Sequence, residues 1–335
     1  MRQRSRIGII PGDPGGIGPE LIARLLHGGD AALQADILLI GDAHVFGAGQ
    51  NIAGLKFSMT PVDPVAGDWQ AVERFALDAQ QTIEPDAVGI AEVTHAGGQS
   101  TLKVLDRALE LAQADIIDGF LFGPFNKAAM HLAGLRQSDE LHYMADRLQT
   151  EGYHSELNVL DGIWTSRVTS HVALRDVPDM ISAERIGEAV RLIDRTLRRA
   201  GIARPRISVA ALNPHAGDGG NFGREEIEII RPAVESLQRM QMAVDGPWPS
   251  DTVFRKVFDK STDAIVTMYH DQGQIALKLL GFDRGVSVLG GLPIPVTTPA
   301  HGTAFDIAGK GTADAGAIRA AFSLLTDLIG QAGRL

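Results

Sequence analysis

Three histidines carry the strongest chemical signal in this chain. His171, His215 and His270, of ten histidines in all, each stand at the end of a short apolar or β-prone run. One such histidine is more often a hydrogen-bonded core residue than a ligand. Three at equivalent strand ends are less easily dismissed, because neighbouring strands of a parallel sheet would bring them together at one edge. Three imidazoles with one position left open suit a catalytic Zn2+, or Mg2+, Mn2+ or Co2+ in its place. The sequence has no cysteine, so any such ion must be held by histidine and carboxylate, and disulfides and thiol catalysis are excluded.

Other candidate groups cluster near the last histidine. Tyr269-His270-Asp271-Gln272-Gly273 is followed by Lys278, eight residues beyond His270, on what reads as the opening of a helix. A cation there could hold a substrate carboxylate or stabilise an enolate. Asp251, in a turn rich in proline and glycine, could move a proton, and it would serve equally as a helix cap. Lys127, closing Gly123-Pro124-Phe125-Asn126-Lys127, is a further cation, though an exposed lysine in a first helical turn is the better reading.

The elements that must position these groups follow an α/β rhythm. Residues 264–268 form an apolar run of the kind a buried parallel strand requires, and ligands in such sheets bind beyond the carboxyl ends of the strands. Further strands are expected over 6–11, 35–40, 116–122, 166–170 and 205–212, and helices over 100–114, 182–200 and 225–240. Residues 50–89 read as irregular, and 245–251 as a turn. The loop Gly12-Asp13-Pro14-Gly15-Gly16-Ile17-Gly18 is no dinucleotide fingerprint, since the spacing puts Leu21 where the last glycine should stand. It reads as a glycine loop lining a cleft or simply as a structural turn.

Composition narrows the class. A chain of 335 residues is long enough for two lobes, with 44% hydrophobic and 21% charged residues, as in an ordinary soluble protein. The balance of 31 basic and 41 acidic residues gives a formal charge of −10, which argues against nucleic acid as a partner. No segment approaches the ~20 apolar residues of a membrane span. The apolar run after the basic start is too short for a signal peptide, so a cytoplasmic enzyme is expected.

The ordered blocks Gly12 to Glu20, Gly123 to Lys127, Ser170-His171-Val172-Ala173-Leu174, Asn213-Pro214-His215-Ala216-Gly217, Asp251-Thr252-Val253-Phe254, Tyr269 to Gly273 and His301-Gly302-Thr303-Ala304-Phe305-Asp306 together resemble the 4-hydroxythreonine-4-phosphate dehydrogenase family. The resemblance runs nearly end to end. It implies the two-lobed α/β, three-layer fold shared with isocitrate and isopropylmalate dehydrogenases, with one lobe over 1–125 plus 297–335 and the other over 126–296. It also implies a homodimer with a shared active site, metal ligands at His171, His215 and His270, and NAD bound at Gly302, Thr303 and Asp306.

The departures bear on substrate. Where the family holds its substrate with Gly-His-Thr-Glu, this chain has Asp139-Glu140-Leu141-His142. Lys278 keeps the family's lysine, but Ser287 stands for the usual asparagine and Val296 for the usual arginine. Losing an arginine fork and gaining Glu140 removes anion-binding groups and adds a negative one. These substitutions point to a paralogue acting on another hydroxy acid. The other readings are the true 4-hydroxythreonine-4-phosphate dehydrogenase, a terephthalate-type cis-dihydrodiol dehydrogenase, and a cofactor-free metal hydrolase or decarboxylase.

Overall fold

The computed structural model describes residues 4–72 and 74–332. The chain forms two compact units, one from residues 1–151 and 292–335 and the other from 152–291. Both are mixed α/β.

The first unit is built on strands β1 (Ser5–Ile10), β2 (Ala35–Gly41), β3 (Met59–Pro61), β4 (Phe75–Ala79) and β5 (Gly119–Phe122). The second contains β6 (Ser155–Leu160), β7 (Ile163–Arg167), β8 (Ile207–Ala210), β9 (Val244–Trp248), β10 (Ala264–Thr267) and β11 (Val286–Gly290). The chain then returns to the first unit with β12 (Val296–Pro299).

In the first unit the strand order is β3-β4-β2-β1-β5-β12, parallel throughout. Its central strands are continuous apolar runs, Ile7, Ile9 and Ile10 among them at 0% exposure, because helices cover a parallel sheet on both faces. The region over 50–89 is more regular than its composition suggests. It holds the end of the Ala43–Ala53 helix together with β3 and β4, and the buried Phe75-Ala76-Leu77 carries the latter.

The helix expected from residue 100 begins earlier, spanning His95–Gln113, with Thr94 Oγ1 accepting from the Gly97 N–H at 3.0 Å. Two glycines in its first turns hid that start. Gly98 is required there, since a Cβ would lie 1.9 Å from the Ala129 carbonyl oxygen of the Lys127–Leu132 helix.

The second unit is ordered β11-β6-β7-β10-β8-β9. β7, β10, β8 and β9 pair in parallel, whereas β6 runs antiparallel to both β7 and β11. The reversal comes from a two-residue hairpin in which Asp161 (φ 48°) and Gly162 (φ 83°) both take left-handed backbone, as a type I′ turn demands.

Two expectations are corrected here. Residues 244–248 form strand β9 rather than a turn. The helix over 225–240 opens as a π turn at Glu226–Ile230 and becomes α-helical only at Arg231–Arg239. Pro232 has no N–H to continue an α ladder, and the register slips at that junction. Among the described residues no helix is long and apolar enough to cross a membrane.

Candidate metal, substrate and cofactor sites

The three histidines follow three adjacent parallel strands. β10 lies between β7 and β8, and all three run the same way, so His171, His215 and His270 emerge at the same edge of the second unit's sheet. Hydrogen bonds stitch that edge. The Val168 and Thr169 amides donate to the Thr267 and Met268 carbonyls, and Gln272 Nε2 donates to the Ala211 carbonyl at the end of β8.

His171 and His270 come together. Their ring centroids are 5.4 Å apart at an interplanar angle of 44°, and both line a cavity of about 190 Å3 with Ser170, Val172, Tyr269 and Asp271. His270 Nδ1 donates to Asp271 Oδ1 at 2.7 Å, which fixes the tautomer and leaves the Nε2 lone pair for a ligand.

His215 sits in a loop of five consecutive left-handed residues, His215 through Gly219, with φ between 43° and 79°. His171 also has positive φ, at 51°. For residues with a Cβ this conformation costs about 1–2 kcal/mol each and needs support from its surroundings. Glu226 provides that support beside His215. It is fully buried, Oε1 accepts from the Leu212 and Asn213 amides at 2.9 and 2.7 Å, and Oε2 accepts from Asn213 Nδ2 at 2.9 Å. Glu226 was missed in sequence, where it reads as one more carboxylate on a helix.

Among the described residues no three His, Asp or Glu side chains converge tightly enough to hold an ion. The donor chemistry nonetheless fits a borderline divalent cation. Two imidazoles face one cavity, one with its tautomer set by a carboxylate, and the third ring follows β8, the strand that adjoins β10 on its other side.

Lys278 lies on the His270–Gly281 helix, two turns beyond His270, and is exposed. Asp251 is exposed in the turn before the Arg255–Phe258 helix, whose N-cap is Phe254, so it does not cap that helix. Ser287, on β11, is 3% exposed and spends its hydroxyl inside the unit as a donor to Glu156 Oε1.

In the first unit, Asp139 caps the Glu140–Arg147 helix by accepting from the His142 amide at 3.0 Å, and His142 Nδ1 donates to the same carboxylate at 2.6 Å. Burial alone would raise the Asp139 pKa, but the bonds from His142 outweigh it and hold the carboxyl below its ordinary range. Glu140 Oε2 pairs with Lys127 Nζ at 3.4 Å, so the negative charge expected from sequence is matched by a cation. Leu141 is 5% exposed and Val296 0% exposed, the latter opposite Phe120 in the sheet. Both pack into the core of the first unit, Leu141 keeping only a small exposed edge.

The carboxy-terminal motif is backed by the glycine loop. The Thr303 carbonyl accepts from the Ile17 amide at 3.1 Å, and Gly16 packs so closely that a Cβ would lie 3.0 Å from the Thr303 Cβ. Gly302 has open space where a Cβ would point, and Asp306 is exposed. An open backbone with an exposed carboxylate fits a dinucleotide, whose ribose hydroxyls need acceptors.

Within the same loop Asp13 is 2% exposed. Its Oδ1 accepts from the Gly15 amide at 2.8 Å, while its buried Oδ2 has no hydrogen-bond partner among the described residues. Burial pushes its pKa up to about 6 against the smaller opposing effect of the Gly15 bond.

Comparison with known proteins agrees with this architecture. The sequence profile described as Pyridoxal phosphate biosynthetic protein PdxA matches residues 33–325. A protein of Pseudomonas aeruginosa named "Putative 4-hydroxythreonine-4-phosphate dehydrogenase 2" is 52% identical over 328 residues, covering 95% of each chain. The D-threonate 4-phosphate dehydrogenase of Salmonella typhimurium is 36% identical over 96% of this chain and 98% of its own. Among solved structures, the 4-hydroxythreonine-4-phosphate dehydrogenase of Klebsiella pneumoniae superposes with a TM-score of 0.84 at 33% identity, over 97% of this chain and 98% of that one.

Proposed function

Because the chain belongs to the PdxA family of dehydrogenases, we propose that it oxidises a secondary alcohol of a hydroxy acid with NAD and a divalent metal, and that CO2 then leaves the β-keto acid. The observation that carries this reading is the pair His171 and His270, 5.4 Å apart over one cavity at the carboxyl ends of adjacent parallel strands.

His171, His215 and His270 would hold the ion, Zn2+ first among the choices because the donors are imidazoles. When bound, it supplies Lewis acidity that lowers the pKa of the substrate hydroxyl and stabilises an enolate. Asp271 keeps the His270 ring in the tautomer that presents Nε2. Lys278 would bind the substrate carboxylate and stay close as charge develops during decarboxylation. Asp251, exposed to solvent, is assigned the transfer of the hydroxyl proton. Gly302, Thr303 and Asp306 would bind NAD, and the glycine loop behind Thr303 would fix the height of that backbone. A cytoplasmic homodimer with a shared active site completes the reading.

The substrate is read as an unphosphorylated hydroxy acid, since no arginine stands at Val296 and Ser287 is turned inward. One observation favours a second reading. Lys127 offsets the charge of Glu140, which lessens the repulsion of a phosphate there, so a 4-phosphorylated hydroxy acid such as the relatives' names describe is the runner-up.

The test is NADH formation at 340 nm by Zn2+-loaded protein, with phosphorylated hydroxy acids, plain sugar acids and aromatic cis-dihydrodiol carboxylates offered separately. Turnover of the plain acids alone is expected. Turnover confined to the phosphorylated set would establish the second reading, and tight substrate binding with no NADH from any class would refute the dehydrogenase assignment.

A further inference from the structure

Five polar side chains from four elements meet inside the second unit: Glu156 and Asn158 of β6, Arg167 of β7, Gln274 of the His270–Gly281 helix and Ser287 of β11. Arg167 is the hub. Its Nη2 donates to Glu156 Oε2 at 2.8 Å, its Nη1 to Asn158 Oδ1 at 2.7 Å and its Nε to Ser170 Oγ at 2.9 Å. Asn158 Nδ2 and the Ser287 hydroxyl both donate to Glu156 Oε1.

The topology puts this cluster beside the histidines. β6 runs against β7, with Asn158 opposite Thr165, so Glu156 comes out next to Arg167 at the carboxyl end of β7. Ser170, the third partner of Arg167, lines the same cavity as His171 and His270. Gln274 lies one turn from His270 and one turn from Lys278, so the helix stripe that carries both rests on Asn158.

The two charged members differ in exposure. The Arg167 side chain is 5% exposed and that of Glu156 31%. A buried ion pair is an expensive way to stabilise a sheet, because apolar residues of the same volume do as well or better. What the arrangement yields is a carboxylate fixed in position at the functional edge. Burial tends to raise the Glu156 pKa, but the Arg167 charge and the bonds from Ser287, Asn158 and Arg167 outweigh it and keep the group ionised. Three donors occupy its two oxygens, and a carboxylate has about four acceptor positions, so one remains for a ligand.

We propose that Glu156 is a specificity residue of the active site, accepting a hydrogen bond from a hydroxyl or ammonium group of the substrate and keeping a phosphate out of that position. This rests on the dehydrogenase reading above and narrows its substrate to hydroxy acids whose remote end is a hydrogen-bond donor.

The experiment is calorimetric binding of two matched pairs, 4-hydroxythreonine with its 4-phosphate and D-threonate with its 4-phosphate. Wild type, Glu156→Gln and Glu156→Asp are compared, each with Zn2+ and NADH. Wild type should bind the unphosphorylated member of each pair more tightly. Glu156→Gln should shift the ratio of affinities toward the phosphorylated member by about tenfold, since a like charge is removed from the phosphate position, and Glu156→Asp should restore most of it.

A wild-type preference for the phosphates, a ratio unmoved in Glu156→Gln, or no binding of any of the four overturns the proposal. If Glu156→Gln does not fold, the wild-type ratio still decides. NADH formation is scored separately. A shifted ratio without NADH from any substrate would support Glu156 and sink the dehydrogenase reading, whereas NADH with an unmoved ratio would do the reverse.

Discussion

His171 and His270 face one another with ring centroids 5.4 Å apart, and the second ring is held by Asp271 at 2.7 Å. The Asp271 bond has a measurable consequence. A carboxylate behind a ligating imidazole sets its tautomer and basicity, and removing it weakens metal affinity by about 10–100-fold. Asp271→Asn should therefore lower Zn2+ affinity by that factor, read by competition with a chromophoric chelator, while His270→Ala abolishes it. Asp271 is 72% exposed, so the melting temperature of the Zn2+-free protein should not change.

Glu226 should act on the same property through the loop rather than the ring. Its removal leaves the Leu212 and Asn213 amides without their acceptor beside a run of left-handed residues. Glu226→Ala should cost about 2–4 kcal/mol in urea unfolding, given about 1–3 kcal/mol for each polar group left unsatisfied. It should also weaken Zn2+ binding, because the support of the His215 loop goes with it. Unchanged Zn2+ affinity in a folded Glu226→Ala protein would show that His215 is no ligand.

How far these sites are legible in sequence depends on the range of the interactions that make them. The run at 264–268 shows its strand locally, and His270 is found by standing at its end. The edge shared with His171 and His215 needed only the assumption that their strands adjoin, which the β7-β10-β8 order satisfies. The Asp161-Gly162 hairpin, absent from the sequence reading, explains the antiparallel β6, and nothing local says that Glu156 then lies beside Arg167. Ser287 illustrates the same limit. Its position in the motif suggested substrate contact, and only the pairing of Ser287 with Asn158 across β11 and β6 turns its hydroxyl toward Glu156. Val296 is a plain strand residue once β12 is seen beside β5.

The Glu156–Arg167 pair should respond asymmetrically to truncation. Arg167→Met leaves a carboxylate whose side chain is 31% exposed and can be hydrated, whereas Glu156→Leu leaves a guanidinium that is 5% exposed with its main counter-charge gone. Breaking a buried pair from one side costs about 3–5 kcal/mol. Glu156→Leu should approach that range and Arg167→Met fall well below it, with the double variant less destabilised than Glu156→Leu alone. Equal losses in urea unfolding would mean that both charges are similarly hydrated.

Asp13 gives a prediction about pH with a definite sign. Its pKa is pushed up from 3.8 to about 6 by burial, so the folded protein holds this proton more tightly than the unfolded chain. The resulting stabilisation is complete below about pH 3.8 and is lost as pH rises through about 6; above that, folding must keep a buried carboxylate charged. Asparagine reproduces the protonated acid, including a donor at the Oδ2 position with no acceptor, while Oδ1 still accepts from Gly15. Asp13→Asn therefore isolates the charge. Relative to wild type it should be close to neutral near pH 4 and stabilising by about 2–3 kcal/mol at pH 8, with the change developing between about pH 3.8 and about pH 6 and level above that. Unfolding curves across that range would show it as a gap opening between the two proteins. A gap independent of pH would mean that Asp13 is ionised in the folded state throughout, and that a partner for Oδ2 arrives with ligand or solvent.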